Sequence, residues 1–407
     1  MWTLACRASV TVLCAGLLGA CAAGLGQNPD ATSSLGEPGP AAGQKQKTVR
    51  IAMLLPLGGL DQSAVIAKGM KQAGELALFE LDNPFVQLVV KDDKGSPEGA
   101  RAAAEEAIRE GAEIIVGPLT SKAVTGAAPV ARQAKVPILT FSNDSHVAGN
   151  GIYLMSFLAE QEVERIVAFA AAKGKRRFAA LIPNDDYGRV VEPAFRAAVA
   201  RSGGTVAALE LYPLETNAML EPARRIVDTI KQSDDTGGPV DTLLVAGGPT
   251  VLPRIGPLIT YSGIDTTRVK LIGTGAWDFP NVGANAALVG GWYPGPDPRG
   301  WQDFSRRFAK AFGSAPPRLA SLAYDAVGIA VTLSANPTGE RFTAANLTRV
   351  AGFNGVDGMV RFLPTGLPER AIAVLEVQAF GANMVDPAPG AFDGATRVSA
   401  VPGQNAN

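Results

Sequence analysis

Short apolar runs that end in polar or glycine-rich turns alternate with longer amphipathic stretches along most of the chain. The short runs are rich in Val, Ile and Leu, which is typical of strands buried in a parallel sheet. The longer stretches begin with capping residues, as in Ser96-Pro97-Glu98, and therefore predict helices. This alternation predicts an α/β protein whose two halves each contain a doubly wound, mostly parallel sheet with flanking helices.

The predicted elements fall into two series and a return segment. The first series has strands at 49–57, 85–91, 113–117, 136–140 and 153–157, with helices at 64–81, from 96, and from 120 to about 135. The second has strands at 178–183, 205–211, 242–246 and 269–272, with helices at 161–173, 187–201, 219–232 and up to 262. The chain is then expected to form helices at 301–312 and 319–333, and a β-pair from 359–362 and 371–378.

Four polar residues follow two neighbouring strands of the first series. Thr120 and Ser121 come after the strand that ends in Gly-Pro, and Ser142 and Asp144 come after the next strand. In open α/β sheets, ligands bind beyond the carboxyl ends of the strands and at helix N-termini. The four residues are therefore candidate ligand contacts, although each is also a common helix cap or turn former.

Aromatic residues follow strand ends in the second series. Tyr187 comes after the strand at 178–183, and Trp277-Asp278 comes after the strand at 269–272, in a chain with only 6% aromatic residues. These positions favour a stacking surface that faces a cleft between the lobes. Packing of one lobe on the other would place the same residues equally well.

Composition excludes several classes of function. The net charge is −1, and no basic cluster is interleaved with aromatic residues, which argues against nucleic-acid binding. The sequence has one histidine, His146, and contains no nucleophile elbow, zinc motif, EF-hand loop or P-loop. We therefore expect a protein that binds without catalysis, metal or other cofactor.

The N-terminal sequence is typical of a targeting segment. An apolar run from 8 to 18 leads into Leu18-Gly-Ala-Cys21, which resembles a bacterial lipobox. Residues 1–21 are then the signal peptide and Cys21 carries the lipid; an uncleaved anchor or an ordinary signal peptide is the alternative. Residues 22–47 are expected to be a flexible linker, 48–380 the folded domain and 381–407 a disordered tail. The lipid would be the only membrane attachment, and Ala22 after the cysteine favours the outer membrane by resemblance to enterobacterial sorting.

Several motifs resemble the type I periplasmic binding proteins of the Leu/Ile/Val-binding protein family. They are Asp92-Asp93 with Ser96-Pro-Glu, Val116-Gly-Pro-Leu, Asp186-Tyr-Gly188 and Ala323-Tyr-Asp-Ala326. The resemblance implies a periplasmic protein with two α/β lobes and three hinge crossings, which holds an amino-acid-like or small polar ligand for an ABC transporter permease. It implies a first lobe of about 48–156 plus 275–330 and a second of about 157–274 plus 331–380.

The resemblance also suggests roles within the site. Ser121 matches a serine that grips the ligand carboxylate, Ser142 a backbone carbonyl that meets the ligand amine, and Tyr187 an aromatic wall. Asp144 replaces a usual Thr, so it would repel a carboxylate and tolerate an amine or a sugar hydroxyl. Gly275 falls near the family's acidic residue, for which the nearest carboxylate in sequence is Asp278.

A second resemblance is to penicillin-binding protein activators, outer-membrane lipoproteins that stimulate peptidoglycan synthases. It is carried by Leu54-Leu-Pro-Leu-Gly58, Gly273-Thr-Gly-Ala-Trp277 and Gly355-Val-Asp-Gly-Met-Val-Arg-Phe362, although the activators' helical-repeat domain is absent. This alternative predicts an exposed apolar patch outside the cleft, whereas a solute receptor needs a cleft lined by polar groups.

Overall fold

A computed structural model describes residues 48–59, 62–215, 218–233, 238–390 and 392. Outside these ranges lie the predicted signal peptide with Cys21, the linker at 22–47, and residues 391 and 393–407 of the predicted tail. The structure therefore describes the predicted folded domain at 48–380, apart from the short gaps between the ranges.

The first lobe is built on a five-stranded sheet in the order β2-β1-β3-β4-β5, with all strands parallel. Its strands are β1 (Val49–Leu55), β2 (Val86–Asp92), β3 (Ala112–Val116), β4 (Ile138–Thr140) and β5 (Ile152–Leu154). The helices between them are α1 (Gln62–Leu81), α2 (Pro97–Arg109) and α3 (Ser121–Ala134).

The second lobe is built on a seven-stranded sheet in the order β15-β14-β10-β9-β8-β6-β7. Its strands are β6 (Arg177–Pro183), β7 (Thr205–Tyr212), β8 (Thr242–Val245), β9 (Lys270–Ile272), β10 (Trp292–Gly295), β14 (Ala373–Val377) and β15 (Ala382–Asp386). Its helices are α4 (Ala159–Ala172), α5 (Asp186–Arg201), α6 (Leu220–Gln232) and α7 (Leu252–Tyr261). The strands from β6 to β10 pair in parallel, while β14 and β15 add an antiparallel edge.

The chain returns to the first lobe after β10. This segment contains α8 (Pro298–Phe312), α9 (Ala320–Ser334), α10 (Ala344–Leu347), β11 (Phe353–Gly355), β12 (Gly358–Phe362) and β13 (Pro368–Arg370). Helix α9 packs along α1, and buried residues of β11 and β12 join the core of the first lobe. The chain thus crosses between the lobes after β5, after β10 and after β13, which confirms the predicted two-lobed α/β fold.

Local chemistry accounts for the helix that follows the second strand. The Ser96 side chain accepts a hydrogen bond from the Gly99 N–H at 3.0 Å, and Pro97 occupies the first helical turn. The buried face of α2 consists of alanines, which allow α3 to approach closely. The predicted capped start of this helix is therefore confirmed.

Several predicted segment assignments are wrong. Residues 275–295 were assigned to the first lobe, but β10 pairs with β9 and β14 in the second. Residues 331–370 were assigned to the second lobe, but they pack with the first. The partner of β12 is β13 rather than 371–378, and residues 382–386 form β15 instead of a disordered tail. The two lobe assignments depend on contacts between residues distant in sequence, which local periodicity does not encode. The β12–β13 and β14–β15 pairs, in contrast, join strands that are adjacent in sequence.

None of the helices in the described ranges combines the length and the apolar composition that a membrane span requires.

Candidate functional site

The first lobe presents the N-terminus of α3 just beyond the carboxyl end of β3. Thr120 caps this helix, since its hydroxyl oxygen accepts a hydrogen bond from the Ala123 N–H at 3.3 Å. Ser121 is the first helical residue and is partly buried. Thr120 therefore acts as the cap that the sequence allowed, while the Ser121 side chain beside it is hydrogen-bonded to Asp144.

The turn after β4 places Ser142 and Asp144 next to Ser121. The buried Ser142 hydroxyl accepts a hydrogen bond from the Asp144 N–H at 3.1 Å. Asp144 in turn accepts from the His146 N–H at 3.0 Å, and His146 Nδ1 lies 2.9 Å from the same carboxylate oxygen. Partial burial acts to raise the pKa of Asp144, but hydrogen bonds with His146 and Ser121 outweigh it and hold this pKa below its ordinary value. This wall of the first lobe therefore carries an ionised carboxylate beside Ser121.

The second lobe contributes Tyr187 from the first turn of α5. The Tyr187 and Thr274 hydroxyls are hydrogen-bonded at 2.6 Å. Burial, and then the nearby Glu162 carboxyl, raise the pKa of Tyr187, so its phenol stays neutral at physiological pH. The tyrosine is partly buried at the carboxyl end of β6, where the sequence placed it.

The prediction of Trp277 as a ligand contact is wrong. Its side chain has no exposed surface, and its indole N–H donates to the Val245 carbonyl at 3.0 Å. Its ring packs against Tyr293 in the core of the second lobe. A large aromatic residue after a strand end fills the core here because the following turn folds back over the sheet.

Sequence reasoning missed Glu162, a residue of α4. One carboxylate oxygen accepts a hydrogen bond from the Gly275 N–H at 3.0 Å, and the other occupies the space that a side chain at position 275 would need. Burial, and then the charges of Asp278 and Glu160, raise the pKa of Glu162 to about 8, although the Gly275 hydrogen bond acts in the opposite direction. Glu162 thus places a carboxyl against Gly275, the position near which the family resemblance implies an acidic residue. No local motif marks it, because the contact spans 113 positions of sequence.

A cavity of about 110 Å³ lies between the lobes at the base of the hinge. The second lobe contributes Glu162 and Asp278 to its lining, and the first lobe contributes Arg318 and Asp357. Phe157, from the first crossing, Pro294 and Gly295, from the end of β10, and Pro296, from the second crossing, also line the cavity. Charged side chains from both lobes therefore meet around one space, whose lining also includes the apolar residues Leu319 and Leu322.

Arg318 is the cation of this cavity. Its guanidinium lies 2.9 Å from Asp357 and 3.4 Å from Asp278, in the two lobes respectively. Burial raises the pKa of Asp278, although the charge of Arg318 acts in the opposite direction. Of the seven predicted ligand contacts, Asp278 is the one that lines this cavity.

The predicted residues therefore form separate groups. Thr120, Ser121, Ser142 and Asp144 lie together on the first lobe, and Tyr187 lies with Thr274 and near Glu162 on the second. Among the described residues, no group of three or more His, Cys, Asp or Glu side chains could hold a metal ion. His146 is 92% exposed, as expected of a loop residue. Neutral hydroxyls, carboxyls and one guanidinium equip the site to bind polar groups by hydrogen bonds and charge.

Comparisons with known proteins agree with this architecture. A family model described as periplasmic binding protein matches residues 48–382. A Leu/Ile/Val-binding protein homolog from Brucella melitensis is 24% identical over 254 residues, which cover 59% of this chain and 63% of the relative. The chain spans between about half and two thirds of the length of the curated relatives that it matches first.

Solved structures share the fold. An ABC transporter substrate-binding protein from Sphaerobacter thermophilus has a TM-score of 0.69 at 21% identity, covering 84% of this chain and 98% of its own. A substrate-binding protein from Desulfitobacterium hafniense in complex with Leu has a TM-score of 0.63 at 20% identity, covering 83% of this chain and 100% of its own. With its two α/β lobes, three crossings and a matching family model over most of its length, this chain belongs to the type I periplasmic binding protein family.

Proposed function

We propose that this protein is a non-catalytic periplasmic solute-binding lipoprotein that holds an amino-acid-like or small polar ligand between its lobes. The observation that carries this proposal is the interlobe cavity, to which both lobes contribute charged side chains. A ligand that contacts both lobes stabilises the closed arrangement by its differential affinity for that state. Closing around the ligand and opening again would let the protein deliver that ligand to an ABC transporter permease.

The charges around the site favour a ligand with a cationic or neutral polar group. Asp144 on the first lobe is ionised, while Glu162 and Asp278 on the second lobe face the cavity. An amine would be attracted by the ionised Asp144 and could donate a hydrogen bond to the Glu162 carboxyl, whereas a lone carboxylate would have to rely on Ser121 and on Arg318, which already has two acidic partners. We therefore expect amino acids, amines and sugars to bind in preference to simple acids.

Anchoring through Cys21 is part of the same proposal. The lipobox precedes a linker of polar and small residues, which would let the body reach a partner in the membrane. Mass spectrometry of the purified full-length protein tests the anchor, since a lipidated N-terminal cysteine adds a defined mass. Replacement of Cys21 by serine should abolish that mass and release the protein from the membrane fraction.

A thermal-shift screen tests ligand binding. The full-length protein should gain melting temperature with at least one compound among amino acids, polyamines, sugars and peptidoglycan fragments, because a ligand that binds the folded state stabilises it by mass action. The gain should disappear in Ser121→Ala and Tyr187→Ala. The absence of a shift with every compound would count against the solute-binding proposal.

One observation favours the alternative function, activation of a peptidoglycan synthase. An apolar groove of about 530 Å³ lies outside the cleft, on the second lobe, with Leu252, Pro257 and Phe279 in its lining. Tyr261 at its rim is 76% exposed. Such a surface on a soluble lobe is typical of a protein-binding site. If this function holds, the protein should stimulate glycan polymerisation by a purified synthase from the same cell, and Tyr261→Ser should reduce the stimulation.

A further inference from the structure

Arg318 is fixed on the first lobe by three neighbours. Its Nη1 atom donates to the Ser321 hydroxyl at 3.0 Å and to Asp357 Oδ2 at 3.1 Å. Its guanidinium also lies over the Trp301 ring, 4.6 Å from the centroid. Asp357 is buried and bonded to the same serine, so this end of the contact moves with the first lobe.

Asp278 is fixed on the second lobe. It follows the short 3-10 turn Gly275–Trp277, in which the buried Trp277 is held by its hydrogen bond to Val245. Its N–H donates to the Gly275 carbonyl at 2.9 Å. The carboxylate therefore projects from a rigid part of the second lobe.

The two fixed groups meet across the hinge. Both Nε and Nη2 of Arg318 lie 3.4 Å from Asp278 Oδ2, close to the upper limit for a hydrogen bond. The cavity around them is also lined by Phe157 and Pro296, which belong to two of the three crossings. A rotation of one lobe about these crossings must therefore change the separation between Arg318 and Asp278, since each group is held by its own lobe.

We propose that the Arg318–Asp278 ion pair is a latch that sets the resting angle between the lobes in the ligand-free protein. Slight closure brings the pair into full hydrogen-bonding distance, while opening breaks it and leaves Arg318 with its partners on the first lobe. Asp278 on this account contacts the opposite lobe instead of the ligand. The latch does not depend on the identity of the ligand or of the membrane partner.

Distance measurements between the lobes test the latch without any ligand. Spin labels introduced as non-canonical amino acids at exposed Lys122 in α3 and exposed Arg189 in α5 report the separation by double electron–electron resonance. The full-length protein should give one main distance distribution. Asp278→Asn, which keeps the shape and removes the charge, should give a wider distribution with a longer mean distance.

A second variant and a matched control complete the experiment. Arg318→Gln should reproduce the shift of Asp278→Asn, and the double variant should shift no further, because either change breaks the same contact. Glu113→Gln breaks the Arg341–Glu113 pair, which joins two elements of the first lobe at 2.9 Å, and should leave the distance distribution unchanged. If Arg318→Gln fails to fold, Asp278→Asn carries the test alone. An unchanged distribution in Asp278→Asn, or an equal shift in Glu113→Gln, would overturn the proposal.

Discussion

Glu162 fills the space beside Gly275 that a side chain at that position would occupy. One oxygen of its carboxyl accepts a hydrogen bond from the Gly275 N–H at 3.0 Å, and the other lies too close to the place of a Cβ at position 275 for both to fit. A carboxyl from α4 thus takes the place of a side chain on the turn after β9. A side chain at position 275 is therefore expected to be tolerated only when the Glu162 carboxyl is also removed.

Gly275→Ala should lower the free energy of unfolding by about 1–3 kcal/mol, because the added methyl group must push the Glu162 carboxyl aside. In a Glu162→Ala background, Gly275→Ala should lower the free energy of unfolding only slightly, because the carboxyl that blocks the methyl group has been removed. Urea unfolding of the four proteins of this cycle measures the coupling.

Gly248→Ala is the matched control for that cycle. A methyl group there would meet Ala276 at ordinary contact distances of 3.7 and 3.8 Å, so little loss of stability is expected. Equal costs of Gly275→Ala with and without Glu162 would contradict the assignment of the shared space.

Glu162→Gln should change how stability depends on pH. Burial raises the pKa of Glu162 to about 8, well above its value in an unfolded chain. Between the unfolded and the folded pKa the native state holds a proton that the unfolded state releases, so Glu162 makes stability fall as pH rises, by at most about 1.4 kcal/mol per pH unit. The stability of wild type relative to Glu162→Gln should therefore decline between pH 5 and pH 8.

Other buried acids do not obscure this comparison. Burial raises the pKa of Asp93 to about 6 and that of Asp325 to about 7, and both residues remain in both proteins. The difference between the two stability curves, measured by urea unfolding at each pH, isolates Glu162. A difference that is constant over this range would show that Glu162 is ionised in the native state.

Trp277→Ala should lower the free energy of unfolding by roughly 3–5 kcal/mol, because it empties a large volume in the core of the second lobe. Trp277→Phe should cost less, about 1–3 kcal/mol, through the smaller ring and the loss of the hydrogen bond to Val245. Ligand affinity of the folded Phe variant, measured by calorimetry, should stay near that of wild type. A large selective loss of affinity would restore Trp277 to the ligand site.

Asp144→Asn should change which ligands the protein accepts. The ionised Asp144 carboxylate beside Ser121 disfavours a carboxylate in the same place, and the amide removes that repulsion. Affinity for carboxylate ligands should rise relative to affinity for amines by roughly tenfold, the effect of about 1.4 kcal/mol. Competition binding with one acid and one amine of similar size measures the ratio. An unchanged ratio would place Asp144 away from the bound ligand.

The sequence predicted best those elements whose signals are local. Helix α3 begins after Thr120 and ends before Lys135 as expected, because capping and the left-handed residue at its end depend on neighbouring residues. The sheet assignment of β10 depends on its pairing with β14, which is distant in sequence, and there the prediction failed. Periodicity predicts that a strand exists but does not identify its neighbour.

In the candidate site, too, local sequence patterns predicted some relationships between residues and missed others. Ser121, Ser142 and Asp144 are brought together because the carboxyl ends of adjacent parallel strands share one edge of a sheet. The burial of Trp277 depends on how its turn folds back, and the approach of Glu162 to Gly275 depends on the packing of α4. Neither relationship leaves a pattern in the nearby sequence.

The claim that both lobes hold one ligand is tested most directly by calorimetric titration of single-lobe variants. With the ligand found by thermal shift, Ser121→Ala on the first lobe and Tyr187→Ala on the second should each weaken binding at least tenfold, a loss of about 1.4 kcal/mol. Tyr261→Ala, on the groove outside the cleft, should bind like wild type. Full affinity in either lobe variant would contradict a ligand shared between the lobes.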